Sequence, residues 1–186
     1  MITDIFLSQL RSKKIKKISD ISDIQLFKSG KFTFKIMAES DLPFFNETRN
    51  DAAEWLHNNS QHTLEECETW FCNNRSSLYF MVFCDQKKLG YFRTSNFDFK
   101  DRNMYVGADF HKHHQGQGYA IPAYRAFFKV MHEIGFSHFY LEVLSHNDRA
   151  LHVYKKLGFK TLSQSKYLER ADGNLTTIKM EKYYVE

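Results

Sequence analysis

His114-Gln115-Gly116-Gln117-Gly118-Tyr119-Ala120 and the later segment Asn147-Asp148-Arg149-Ala150-Leu151-His152-Val153-Tyr154-Lys155-Lys156-Leu157-Gly158-Phe159 decide how this 186-residue chain is read. The first lies between an apolar strand pattern, Met104 to Phe110, and the start of a helix pattern. Its two glycines let the backbone approach a ligand closely. Free N–H groups at a helix N-terminus suit a phosphate or pyrophosphate. The stretch is not Gly-x-x-x-x-Gly-Lys-Ser/Thr, and Gly116 and Gly118 alone do not make a Gly-x-Gly-x-x-Gly dinucleotide turn.

Outward from this loop, the strand and helix periods alternate. Phe32, Phe34 and Ile36 recur at every second position across Lys31 to Met37, as in a half-buried strand. Ser40-Asp41 followed by Pro43 predicts a helix start, running to about Leu56. Thr63-Leu64-Glu65-Glu66 is a capping box that opens a second helix. Leu78 to Cys84 and Leu89 to Asn96 read as a hairpin turning at Asp85 to Lys88. The glycine loop launches a helix of about four turns to Ile134, with Pro122 tolerated in its first turns. Phe136 to Leu144 is a strand, Asn147 to Leu157 a short helix stopped by Gly158. A closing hairpin, Phe159 to Leu168 with Leu175 to Tyr183, turns at Asp172-Gly173-Asn174.

Together the two motifs resemble the GNAT superfamily of acyl-CoA-dependent N-acetyltransferases. Gln115 to Ala120 is similar to its Gln/Arg-x-x-Gly-x-Gly/Ala pyrophosphate loop, and Asn147 to Phe159 to its Asn-x-x-Ala-x-x-x-Tyr-x-x-x-Gly-Phe segment. Ala120 and Asn147 stand 27 positions apart, room for a helix, a strand and a short loop. The resemblance covers about residues 31 to 183. It implies an α/β (α+β) GNAT fold, a mixed, mostly antiparallel sheet of about seven strands with about four helices. Residues 1–30 are expected to form an N-terminal extension and 31–186 the acetyltransferase domain. Ile2, Ile5, Phe6 and Leu10 stand at helical spacing within the extension.

The resemblance also implies roles. Acetyl-CoA is the co-substrate, held by backbone groups of Val106, Ala108 and Phe110 and by Gln115, Gly116, Gln117, Gly118, Tyr119 and Ala120. Asn147 bonds the pantetheine or caps its own helix. Gly107 fits a close approach or plain packing. Tyr154 becomes the general acid to the departing thiolate, or else a packed helix tyrosine. The motifs leave the base open: Glu142 comes first, then Asp109 and His146, and a neutral amine taken from solution needs none.

The acceptor is less constrained. Arg49-Asn50-Asp51 and His62 to Phe71 resemble the acceptor wall of two branches, one acetylating nucleotide-linked amino sugars, the other ribosomal-protein N-termini. A net charge of +4, from 26 basic and 22 acidic residues, tips the expectation to the nucleotide amino sugar, with a protein N-terminus and a non-catalytic acyl-CoA-binding module as alternatives. Tyr79, Phe80, Phe83, Tyr91, Phe92, Phe97 and Phe99 either stack a ligand or fill the core. The basic run Arg11 to Lys17 reads as a solvated face, and nucleic acid is not an expected partner. Cys67, Cys72 and Cys84 lack metal or disulfide spacing. His111, His113 and His114 do not match a zinc pattern and are expected to lend partial positive charge to the phosphate loop. No metal, no membrane span, a reducing cytoplasmic setting and a homodimer complete the expectations.

Overall fold

In the computed structural model the described residues are 15–74, 76–170 and 173–185, with side chains described except at 164–170 and 173–174. The elements run α1 (Ile18–Ser22), β1 (Leu26–Ser29), β2 (Phe32–Ile36), α2 (Leu42–Asp51), α3 (Leu64–Asn73), β3 (Leu78–Cys84), β4 (Lys87–Asp98) and β5 (Asn103–Phe110). Then follow α4 (Ala120–Glu133), β6 (His138–Leu144), α5 (Asp148–Lys156), β7 (Lys160–Arg170) and β8 (Gly173–Tyr183). Among the described residues this is a mixed α/β fold with one eight-stranded sheet, in the order β1-β2-β3-β4-β5-β6-β8-β7. Every neighbouring pair is antiparallel except β5 with β6.

Both faces of the sheet are covered, which explains why β3 reads as an almost unbroken apolar run. Phe80 and Val82 join the main core under α4, while Met81 packs in a second core with Leu42, Phe45, Cys67 and Tyr91. The apolar stripe of α4 supplies Ala123, Tyr124, Phe127, Phe128, Val130 and Met131 to the main core. Phe127 is fully buried, stacked on Phe92 at 4.4 Å, and meets Phe34 and Phe80 edge-on at 5.2 and 5.4 Å. Offset and edge-on rings add to the area term, so this cluster ties four elements together.

Several local outcomes differ from the periodicity. The sheet starts at Leu26, and Ile15, Ile21 and Phe27 lie in the main core, so apolar residues before position 31 are part of the packing. The β3–β4 turn is only Asp85-Gln86, with φ of 47° and 71°. Two left-handed residues close a hairpin whose twist matches the strands, so β4 already begins at Lys87. Helix α2 ends at Asp51, and a 3-10 turn, Ala53–Trp55, replaces its last expected turn. The Asn50 amide holds both the carbonyl and the N–H of His62, pinning the following loop against the helix end. Ile2, Ile5, Phe6, Leu10, Arg11 to Lys14 and the turn residue Asp172 lie outside the described residues. No helix among the described residues is long and apolar enough to cross a membrane.

Phe127→Ala removes the ring shared by three aromatic neighbours, and is expected to lower unfolding stability by about 3–5 kcal/mol in urea titrations.

Candidate active site

Strands β5 and β6 run side by side for only three residues each, Asn103 to Tyr105 against His138 to Tyr140. Beyond Tyr105, β5 continues its pairing with β4, and β6 continues with β8, but the two no longer bond each other. One edge of Val106 to Phe110 is therefore left open within the sheet. An open strand edge offers alternating N–H and C=O groups to an extended ligand. A cavity of about 450 Å³ lies there, bordered by Val106, Gly107, Ala108, Asp109, Glu142, Asn147 and Tyr154. A smaller one, about 160 Å³, continues to Phe110, Gln115, Ala120 and Arg149.

The loop after β5 is built by its own side chains. Gln115 Nε2 donates to the Phe110 carbonyl at 2.8 Å, and its Oε1 accepts from Arg149 at 2.9 Å, tying the strand end to α5. Gln117 Nε2 donates back to the His113 carbonyl at 2.6 Å. With both glutamines engaged by the protein, the loop's offer to a ligand is its main-chain N–H groups. Gly116 and Gly118 have φ of 73° and 79°, and a Cβ on either would point into open space. No side chain caps α4, whose N-cap is Tyr119, so the positive end of the helix dipole stays available for an anion. Asn147 accepts the Ala150 N–H at 3.0 Å and caps α5, while also bordering both cavities.

Tyr154, on α5, lines both cavities. Its hydroxyl lies 3.4 Å from that of buried Tyr124 on α4, which donates to it. Burial raises the Tyr154 pKa, and the Tyr124 hydrogen bond opposes that rise by favouring the phenolate. Asp109 projects from β5 and accepts the Tyr91 hydroxyl at 2.7 Å. Burial lifts the Asp109 carboxyl above the usual carboxylate range, against the lowering influence of Tyr91, Arg93 and Arg49. Glu142, facing Lys179 across the β6–β8 pairing, borders the larger cavity but not the smaller. His146 is exposed, 5.6 Å from the Trp55 ring, and borders neither.

Beyond Asp109 opens a larger chamber of about 770 Å³ between α2, α3 and the sheet. Phe45 and Trp70 stack at 5.4 Å, and Tyr79 and Tyr91 stand against Phe45 at 5.3 and 4.7 Å. Arg93, Leu56 and His57 border this chamber and the 450 Å³ cavity alike, so the two communicate. His111 is 7% exposed, stacks on Phe44 and contacts Glu47 at 3.2 Å. Burial, then nearby cations, lower the His114 pKa, which disfavours its charged form. Glu47, Asp51 and His111 could bring ligand atoms within 4.8 Å of one another. Lys112 already reaches both carboxylates, at 3.4 and 3.2 Å, and supplies the positive charge there.

The sequence reading did not single out Arg93, Trp55 or Tyr124. Arg93 stands alone in an aromatic strand, and Trp55 follows a helix end whose 3-10 turn is set by tertiary contacts. A signal for Tyr124 existed: it lies on the buried stripe of α4, where a hydroxyl needs a partner.

A family model described as an acetyltransferase (GNAT) domain matches residues 31–160. No curated protein is a significant sequence match. A spermidine N-acetyltransferase from Vibrio cholerae, solved with CoA and spermine, superposes with a TM-score of 0.72 at 20% identity, covering 83% of this chain and 96% of that one. An acetyltransferase from Salmonella typhimurium that modifies the N-terminal serine of ribosomal protein L7/L12 gives 0.72 at 17%, covering 84% and 97%. A ribosomal-protein-alanine N-acetyltransferase from Brucella melitensis gives 0.68 at 16%, covering 81% and 99%. The family model spans well over half of the chain, over the same strands and loop that form the cleft, and the chain belongs to the GNAT acetyltransferase family.

Proposed function

We propose that the protein is an acetyl-CoA-dependent N-acetyltransferase acting on a primary amine by direct attack. The observation that carries this reading is the open edge of Val106 to Phe110, with the Tyr154 hydroxyl beside it and the uncapped loop at its end. The pantetheine arm would lie along that edge, and the diphosphate against Gln115 to Ala120. Acetyl-CoA supplies the thioester carbon at which an N–C bond forms and a C–S bond breaks.

The remaining tasks fall to side chains that border these cavities. Asp109 takes a proton from the acceptor ammonium and passes it to solvent, leaving the nitrogen lone pair free. We assign it this role ahead of Glu142 because it borders both cavities that Tyr154 borders, and because a raised pKa makes it a stronger base. Tyr154 donates its proton to the departing sulfur, and the second amine proton restores its hydroxyl. Tyr124 is a positioning residue, its hydrogen bond stabilising the momentary phenolate.

For the acceptor, the charge balance suggests a nucleotide-linked amino sugar, but the chamber argues for less negative charge. Arg49 donates to the Asn58 and Ser60 carbonyls and to Asn50, so its guanidinium is engaged by the loop. That leaves little to meet a diphosphate. The related structures name spermidine and ribosomal-protein N-termini as acceptors, and neither carries one.

Tyr154→Phe is expected to reduce turnover by about 100-fold or more, in a thiol-release assay, with CoA affinity little changed. An ionised Asp109 is needed to accept a proton, so turnover should fall as pH drops through its raised pKa. Asp109→Asn should lose that acidic limb and Glu142→Gln should keep it, as read from pH–rate profiles. Gly118→Val sets a β-branched side chain at φ 79° on the phosphate loop. Calorimetry with CoA should then register no binding.

A further inference from the structure

The strongest remaining observation is Arg93. Its position on β4 pairs with Gly107 on β5, and a Cβ at 107 would stand 3.3 Å from the arginine Nη2. The guanidinium thus lies across the bare backbone of Gly107, where any larger residue would press on it. Although deep within the fold, Arg93 is exposed, because it faces the two joined cavities it borders. Its side-chain hydrogen bond is to the Tyr79 hydroxyl. Among the described residues no carboxylate forms an ion pair with it. Tyr79 and the nearby Asp109 favour its charge, and the guanidinium has five donors, more than the Tyr79 hydroxyl takes up. Since Arg49 is engaged by the loop, Arg93 is the guanidinium of the chamber left with donors for a ligand, and it is suited to one planar anion held by two parallel bonds.

Its placement fixes where that anion lies relative to the reacting nitrogen. The guanidinium lies over Gly107, and Gly107 and Asp109 are two positions apart on the same face of β5, about 7 Å along the strand. That spacing suits an amine and an anion carried one or two carbons apart. We propose that the acceptor is a free α-amino acid whose carboxylate is held by Arg93, whose amine meets Asp109, and whose side chain enters the aromatic chamber. The proposal rests on the acetyltransferase reading above and specifies the acceptor of that site. Phe45, Trp70, Tyr79 and Tyr91 favour an apolar or aromatic side chain. A peptide N-terminus would set a neutral amide against Arg93. A polyamine would set methylenes there. A nucleotide sugar carries its anions many bonds from the amine.

The test is thiol release from acetyl-CoA with matched pairs: phenylalanine and phenylalaninamide, leucine and leucinamide, a phenylalanyl dipeptide, spermidine and a nucleotide amino sugar. The free acids should exceed their amides in kcat/KM by about 30-fold or more, because a charge-assisted bidentate contact is lost with the carboxylate. Arg93→Gln should bring that acid-to-amide ratio to about one. Gly107→Ala, which crowds the guanidinium, should lower it as well. Equal rates for acids and amides in the wild-type protein overturn the proposal, even if neither variant folds. Turnover of spermidine, dipeptide or nucleotide sugar without turnover of free acids overturns it and leaves the transferase reading standing. No thiol release with any amine, while calorimetry registers CoA binding, overturns both.

Discussion

The site depends on one break in hydrogen bonding. Strands β5 and β6 are joined near Asn103 and His138 and part after Tyr105 and Tyr140, so an edge that a continuous sheet would satisfy faces a cavity instead. Parallel neighbours can part in this way because each keeps a complete antiparallel partner on its other side, β4 and β8. The cleft is stabilised by strong pairing around it. Gln115 then fixes the far end, bonding the last carbonyl of β5 and the Arg149 side chain on α5.

That opening brings two kinds of surface together. On the α4–α5 side lie main-chain N–H groups at an uncapped helix start and a tyrosine pair in van der Waals surroundings. On the α2–α3 side lie aromatic faces, the Arg93 guanidinium and, nearby, the desolvated Asp109 carboxylate. Both charged groups come from the adjacent central strands β4 and β5, and the aromatic faces come from β3 and β4 (Tyr79, Tyr91) and from α2 and α3 (Phe45, Trp70), with Asn50 and Arg49 tying α2 to the 56–62 loop.

Much of the architecture was legible in the sequence because local chemistry dictates it. Thr63 and Glu66 cap α3 reciprocally, at 3.2 and 2.9 Å, as their spacing requires. Asn147 and Gly158 bound α5, and the alternation in β2 matches its burial. The surroundings of the histidines were not legible, since the burial of His111 and its Glu47 contact come from tertiary neighbours. Arg93 left no mark at all: an arginine in an aromatic strand looks like an outward-facing residue until Gly107, distant in sequence, is seen beneath it.

By itself, then, the sequence determined the elements, their order and the glycine loop before α4, because capping, glycine conformations and apolar period act over a few residues. Only the tertiary structure decided where β5 and β6 separate, that Asp109 and Glu142 both border the cavity of Tyr154, and which arginine the 56–62 loop engages. Those are matters of desolvation and partner availability, and they depend on groups brought together across the sheet rather than along the chain.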